Sequence, residues 1–109
     1  MDFEEACDAL RMSPETKELA ALVAEIFVDS DVAEPHAPVL SLHLLDFIAK
    51  EIGGALELKP DTVSKITQRE TKRLGVEGKG TLALLVASHP KMLRLYASRR
   101  TKGDASRDP

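Results

Sequence analysis

Three features of this sequence predict an all-α fold, a compact bundle of five or six short helices. Apolar residues recur at three-, four- and seven-residue spacings through most of the chain, as they do where each helix buries one face. Proline stands at the first position of several such segments, after Ser13, Lys59 and His89, where its fixed φ and missing N–H suit a first helical turn. Aromatic residues make up only 4% and tryptophan is absent, so the core is drawn from Leu, Ala, Val and Ile, which helix-on-helix packing accommodates.

The 109 residues make one domain's worth of core, read as a single helical domain over residues 1–98 followed by a disordered tail over 99–109. Residues 2–11 form a short helix with Phe3, Cys7 and Leu10 on one face. Ser13 caps the next helix, with Pro14 at its first position and Glu15 in the first turn. Leu19, Leu22, Val23, Ile26 and Phe27 form its stripe, and it ends near Val28. Residues 29–38 are acidic, carry Pro35 and Pro38, and read as an exposed loop. Periodicity resumes near Val39 through Leu42, Leu45, Ile48, Ala49 and Ile52, and Gly53-Gly54 reads as a helix stop. After the connection 55–59, Pro60 and Asp61 open a helix running to about Leu74, with Val63, Ile66, Glu70 and Leu74 along one side. Gly75, Gly78 and Gly80 mark a turn. Thr81 to Ser88 is apolar enough for helix or buried strand, and its alanines and leucines favour helix. Ser88 or His89 caps a last helix starting at Pro90.

The bulk numbers narrow the function. Cys7 is the one cysteine, which leaves no internal disulfide and no cysteine cluster for a metal. No run approaches the 18 or so apolar residues of a membrane span, and the acidic start lacks the order of a signal peptide, so a cytoplasmic protein is expected. The net charge of −3 hides an asymmetry. Residues 1–57 hold 13 Asp or Glu against 3 Lys or Arg, whereas residues 58–109 hold 12 Lys or Arg against 5 Asp or Glu. The basic half suits a polyanion or an acidic partner; equally, the halves attract one another across the fold or head to tail between chains.

The candidate site lies within Leu44–Leu74. A helix-turn-helix sets a supporting helix, a turn and a second helix whose exposed face enters the major groove. The helix from Pro60 exposes Ser64, Lys65, Gln68, Arg69, Lys72 and Arg73, with Lys59 just before it. Gln and Arg match adenine and guanine edges, Lys and Ser contact phosphates, and free N–H groups after Pro60 suit a phosphate too. Arg99, Arg100 and Lys102 add nonspecific attraction. Two half-sites bring affinity within reach of so small a domain, which makes a homodimer the expected form.

The fragments IAKEIG (Ile48–Gly53) and TVSKI (Thr62–Ile66) resemble the two helices of lambda-repressor-like, Xre-type helix-turn-helix regulators. GTLALLVASHPKMLRLY (Gly80–Tyr96) is similar to the closing helices of HigA-like antitoxins. The likeness covers about half of the chain and implies double-stranded DNA as partner, with Lys65, Gln68, Arg69 and Lys72 touching bases and phosphates. Eight residues separate Gly53 from Thr62, however, where such domains place about four. An amphipathic helix with a solvated basic face, in a non-enzymatic adaptor that engages an acidic protein, explains the same residues.

Catalytic chemistry has less to rest on. His43 and Asp46 share a predicted helix face at i and i+3, a spacing that orients a general base, yet no nucleophile or oxyanion donor accompanies them. His36 falls in the loop, His89 beside Pro90 is most simply a cap, and Cys7 on an apolar face is a small core residue. GVEGKG (Gly75–Gly80) lacks the GK[ST] ending of a phosphate loop. No enzyme, cofactor or metal is expected.

Overall fold

The computed structural model describes residues 2–107, with side chains through residue 99. Among them are seven α-helices and no strand: α1 (Phe3–Ala9), α2 (Pro14–Asp29), α3 (Ala37–Leu44), α4 (Ala49–Leu56), α5 (Pro60–Leu74), α6 (Gly78–Ala87) and α7 (Pro90–Arg107), with a 3-10 turn at Glu34–His36. The all-α bundle predicted from the sequence is therefore what forms. One helix more than expected arises because the segment read as a single helix from Val39 to Ile52 is two.

The first helices start as their sequence signals require. The Asp2 carboxylate accepts from the Glu5 N–H at 2.8 Å, and the Ser13 hydroxyl accepts from Thr16 N–H at 3.2 Å with Pro14 in the first turn. These satisfy N–H groups that no helix end can pair internally. The expected loop 29–38 shrinks to the residues after Asp29, because Pro35 and Pro38 start the 3-10 turn and α3 instead of interrupting a loop. That is the one helical position proline tolerates.

Helix α3 is apolar nearly all round and sits at the centre, as such a helix must. Leu40 packs with Val23, Ile26, Phe27, Leu82 and Val86 in one cluster. Val39 and Leu42 pack with Ile52 and Val63 in a second, which Phe3, Leu10 and Ile66 flank. The buried Ser41 hydroxyl is satisfied by donating to the Ala20 carbonyl of α2 at 2.6 Å.

Two expectations about chain breaks are corrected. The chain turns at Leu45–Ile48, where Asp46 takes φ 71° and the Phe47 N–H reaches back to the Leu42 carbonyl at 3.1 Å; aspartate is one of the few residues that adopts this left-handed conformation readily. Ile48, expected in the buried stripe, is 61% exposed as a result. Gly53-Gly54 does not stop α4, which runs on to Leu56 and closes on Glu57 in the left-handed region, φ 59°.

The C-terminal third differs in extent. Gly78 and Gly80 lie in the first turn of α6, so the turn after Gly75 is shorter than expected. His89 caps α7, its Nδ1 accepting from the Lys91 N–H at 3.1 Å. The backbone stays helical to Arg107, through residues read as a disordered tail. Extending an established helix fixes one residue per added hydrogen bond, and Arg, Lys and Ala favour it. The last two residues of that tail lie outside the described residues. No described helix is long and apolar enough to cross a membrane.

Candidate nucleic-acid interface

Helix α4, the turn Glu57-Leu58-Lys59 and helix α5 form one unit. Glu51 starts it, its Oε1 accepting from the Ile48 N–H at 3.0 Å. At the other end of α4 the Leu58 N–H donates to the Gly53 carbonyl at 2.8 Å. Gly53 is where the chain entering α5 crosses α4: a Cβ there would lie 2.5 Å from the Leu58 carbonyl oxygen. The neighbouring Gly54 faces open space. The pair read as a stop signal is thus one glycine required by close approach and one that is not.

Helix α5 opens on Pro60 and closes on Gly75 at φ 69°, with the Val76 N–H returning to the Thr71 carbonyl at 3.1 Å, a left-handed C-terminal cap. Its inner face carries buried Val63 and Glu70 and part-buried Ile66 and Leu74. Thr67 and Thr71 direct their hydroxyls inward along the helix, to the Val63 carbonyl at 3.0 Å and the Thr67 carbonyl at 2.7 Å. Neither competes for the outer face.

Glu70 is 1% exposed and ties α5 to the segment before α3. It accepts from the Ala33 N–H at 3.0 Å and from Arg73 Nη1 at 3.3 Å, with His36 Nδ1 3.7 Å away. Arg73 also donates to the Asp31 carbonyl at 3.3 Å. Two of its donors therefore serve the fold, which sets it apart from the other basic residues of α5.

All seven residues singled out from the sequence are exposed. Lys65, Gln68, Arg69 and Lys72 follow the i, i+3, i+4, i+7 order of one helix face, and Lys59 stands at the turn. Ser64 and Gln68 sit at its edge, where they line a cleft of about 370 Å³ with Phe47, Ile48, Ala49 and Thr67. Asp61 is the exposed acid near the start of this face. The side chains of Arg100 and Lys102 lie outside those described; Arg99, exposed, is on α7, not on α5.

The same cleft is lined by two of the residues weighed for chemistry, His43 and Asp46. His43 and Asp46 do not share a helix, since α3 ends at Leu44. Asp46 bonds Lys79 Nζ at 2.8 Å, and that bond holds its carboxyl below the usual range. Burial, and then Lys79, push the His43 imidazole below its ordinary pKa. The pairing needed to orient a histidine base is therefore replaced by an ion pair joining the α3–α4 turn to α6, which sequence spacing could not reveal because 33 residues separate its partners. Compared with known proteins, the chain matches no family model, no curated protein and no solved structure.

Proposed function

We propose that this chain binds double-stranded DNA through α5 and acts as a small regulator of transcription. The observation that carries the reading is the α4–turn–α5 unit. A three-residue turn joins the two helices, the length a helix-turn-helix uses. Of the eight residues between Gly53 and Thr62, α4 takes up the first three, Gly54 to Leu56, and α5 begins at Pro60, which supports the reading. Gly53 sets the close crossing, and the face turned to solvent carries Lys65, Gln68, Arg69 and Lys72. Such a face offers bidentate donors for base edges and cations for phosphates.

Mechanistically, Lys59, Lys65 and Lys72 hold phosphates, Gln68 and Arg69 read bases, and Ser64 works at the edge of the contact. Arg73 supports α5 through Glu70. The test is a fluorescence-anisotropy titration of duplex DNA over a salt series. Neutralising three or four phosphates gives a log–log salt slope of about −3 to −4. Lys65→Ala with Arg69→Ala removes most of the affinity and leaves the circular dichroism unchanged. Unaltered binding by the double variant, or no binding by the parent at low salt, overturns the reading.

A second reading, a non-enzymatic protein-interaction module, has its own support. Leu84 on α6 and Leu93 and Tyr96 on α7 are 70%, 54% and 63% exposed, apolar surface outside α5 that a partner protein would cover.

A further inference from the structure

Two unpartnered surfaces of opposite character lie at opposite ends of α2. At its N-terminal end, a groove of about 500 Å³ runs between α1 and α2, lined by Phe3, Cys7, Pro14 and Ala21 with Glu4, Lys17 and Glu18. Its charges are not balanced. Lys17 is already neutralised by Asp8 at 2.7 Å, whereas Glu4 and Glu18 are exposed and make no ion pair among the described residues. Burial pushes the Cys7 thiol above its usual pKa, so the floor is neutral as well as apolar.

At the C-terminal end of α2, Lys91 bonds Glu25 at 2.9 Å and Asp29 at 2.8 Å and anchors the first turn of α7. Just beyond Lys91, Leu93 and Tyr96 stand a helical turn apart with more than half of their surface exposed. Tyr96 is the chain's one tyrosine. Arg94 and Arg99 beside them are exposed and unpaired among the described residues. An apolar ridge flanked by cations thus matches an apolar groove rimmed by carboxylates.

A single molecule cannot join them. The groove occupies α2 from Pro14 to Ala21, while α7 is fixed at Glu25 and Asp29 and projects from there. We propose that the chain associates head to tail: Leu93 and Tyr96 of one copy seat in the α1–α2 groove of the next, with Arg94 and Arg99 facing Glu4 and Glu18. The contact is heterologous, so a pair of copies keeps one free groove and one free ridge between them, and the assembly grows beyond a dimer unless it closes into a ring. Its rim of charge makes it weaker at high salt. The proposal does not depend on α5 binding DNA.

Sedimentation velocity of the full chain over a concentration series tests it, with two variants at exposed positions. Leu93→Ser with Tyr96→Ser removes the ridge, and Ala21→Arg fills the groove without touching the core. Each variant alone is monomeric, its association weakened at least tenfold, with unchanged circular dichroism. Mixed, the two form a one-to-one dimer and nothing larger, because together they hold one intact groove and one intact ridge. A wild-type chain that stays monomeric throughout overturns the proposal. Association that survives Ala21→Arg but is lost with the ridge also overturns it, since α7 then pairs with another α7.

Discussion

Exchanging each glycine of the Gly53-Gly54 pair for alanine tests the crossing of α4 and α5 directly. In a helix interior alanine is favoured over glycine by about 1 kcal/mol. At Gly54, which faces open space, that preference acts alone, and Gly54→Ala stabilises by about 0.5–1 kcal/mol. At Gly53 the added Cβ meets the Leu58 carbonyl oxygen at 2.5 Å and Pro60 N at 3.5 Å. These are backbone atoms and cannot swing aside. The turn must retreat by roughly 1 Å, at about 1–3 kcal/mol for such overpacking. It also strains the bond from the Leu58 N–H to the Gly53 carbonyl, 2.8 Å long. Gly53→Ala therefore falls between neutral and about 2 kcal/mol destabilising net, and the two variants differ by the overpacking cost, about 1–3 kcal/mol. Urea unfolding followed at 222 nm reads both differences. If α5 binds DNA, Gly53→Ala weakens that binding at a temperature where the variant is still folded, and Gly54→Ala does not. Equal stability of the two variants refutes the crossing and, with it, the assignment of the turn.

Three further outcomes follow from single contacts. Glu57→Gly relieves a left-handed conformation, φ 59°, and raises the urea midpoint by an amount worth about 1 kcal/mol; a lower midpoint shows that the Glu57 side chain contributes more than its backbone costs. Glu70→Ala strands the Ala33 N–H and the Arg73 guanidinium and destabilises by about 2–4 kcal/mol, while Glu70→Gln keeps an acceptor and loses less. A Glu70→Ala variant within about 0.5 kcal/mol of wild type removes Glu70 as a tie between α5 and the pre-α3 segment. His43 is held below its ordinary pKa of 6.5 by burial and then by Lys79, so the unfolded chain takes up its proton first. Stability contributed by neutral His43 is full above that pH and is lost as the pH falls from 6.5 toward the folded value. His43→Leu flattens the midpoint-against-pH curve in that window, and an unchanged slope sinks the assignment.

The parts of this fold that could be read from the sequence are those whose signals are local. Ser13-Pro14 and the stripe from Leu19 to Phe27 define α2 without reference to anything else in the chain. The outer face of α5 was equally legible, because Val63, Ile66, Glu70 and Leu74 fix which side is buried and leave Lys65, Gln68, Arg69 and Lys72 on the other. What escaped depends on backbone states adopted by residues that do not advertise them. Asp46 and Glu57 both take positive φ; aspartate does so readily but sits as often in ordinary helix and turn positions, and glutamate gives no sign of it at all. The chain therefore breaks at Leu45–Ile48 without a breaker, and α4 ends three residues after the glycine that should have ended it.

That displacement governs the functional reading. Measured from Gly53, the connection to α5 is too long for a helix-turn-helix; measured from the Leu56 end of α4, it is the right length. The same glycine carries both facts, since it is buried under the Leu58 carbonyl as a helix-crossing residue and not as a terminator. Long-range ties explain the one residue of the basic face whose role shifts. Arg73 is spaced like its neighbours, but Glu70 and the Asp31 carbonyl, the latter 42 residues away in sequence, draw two of its donors inward. A basic face read by periodicity alone thus combines cations available to a phosphate with one that holds the helix presenting them. Replacing Arg73 tests the scaffold, whereas replacing Lys65 and Arg69 tests the interface.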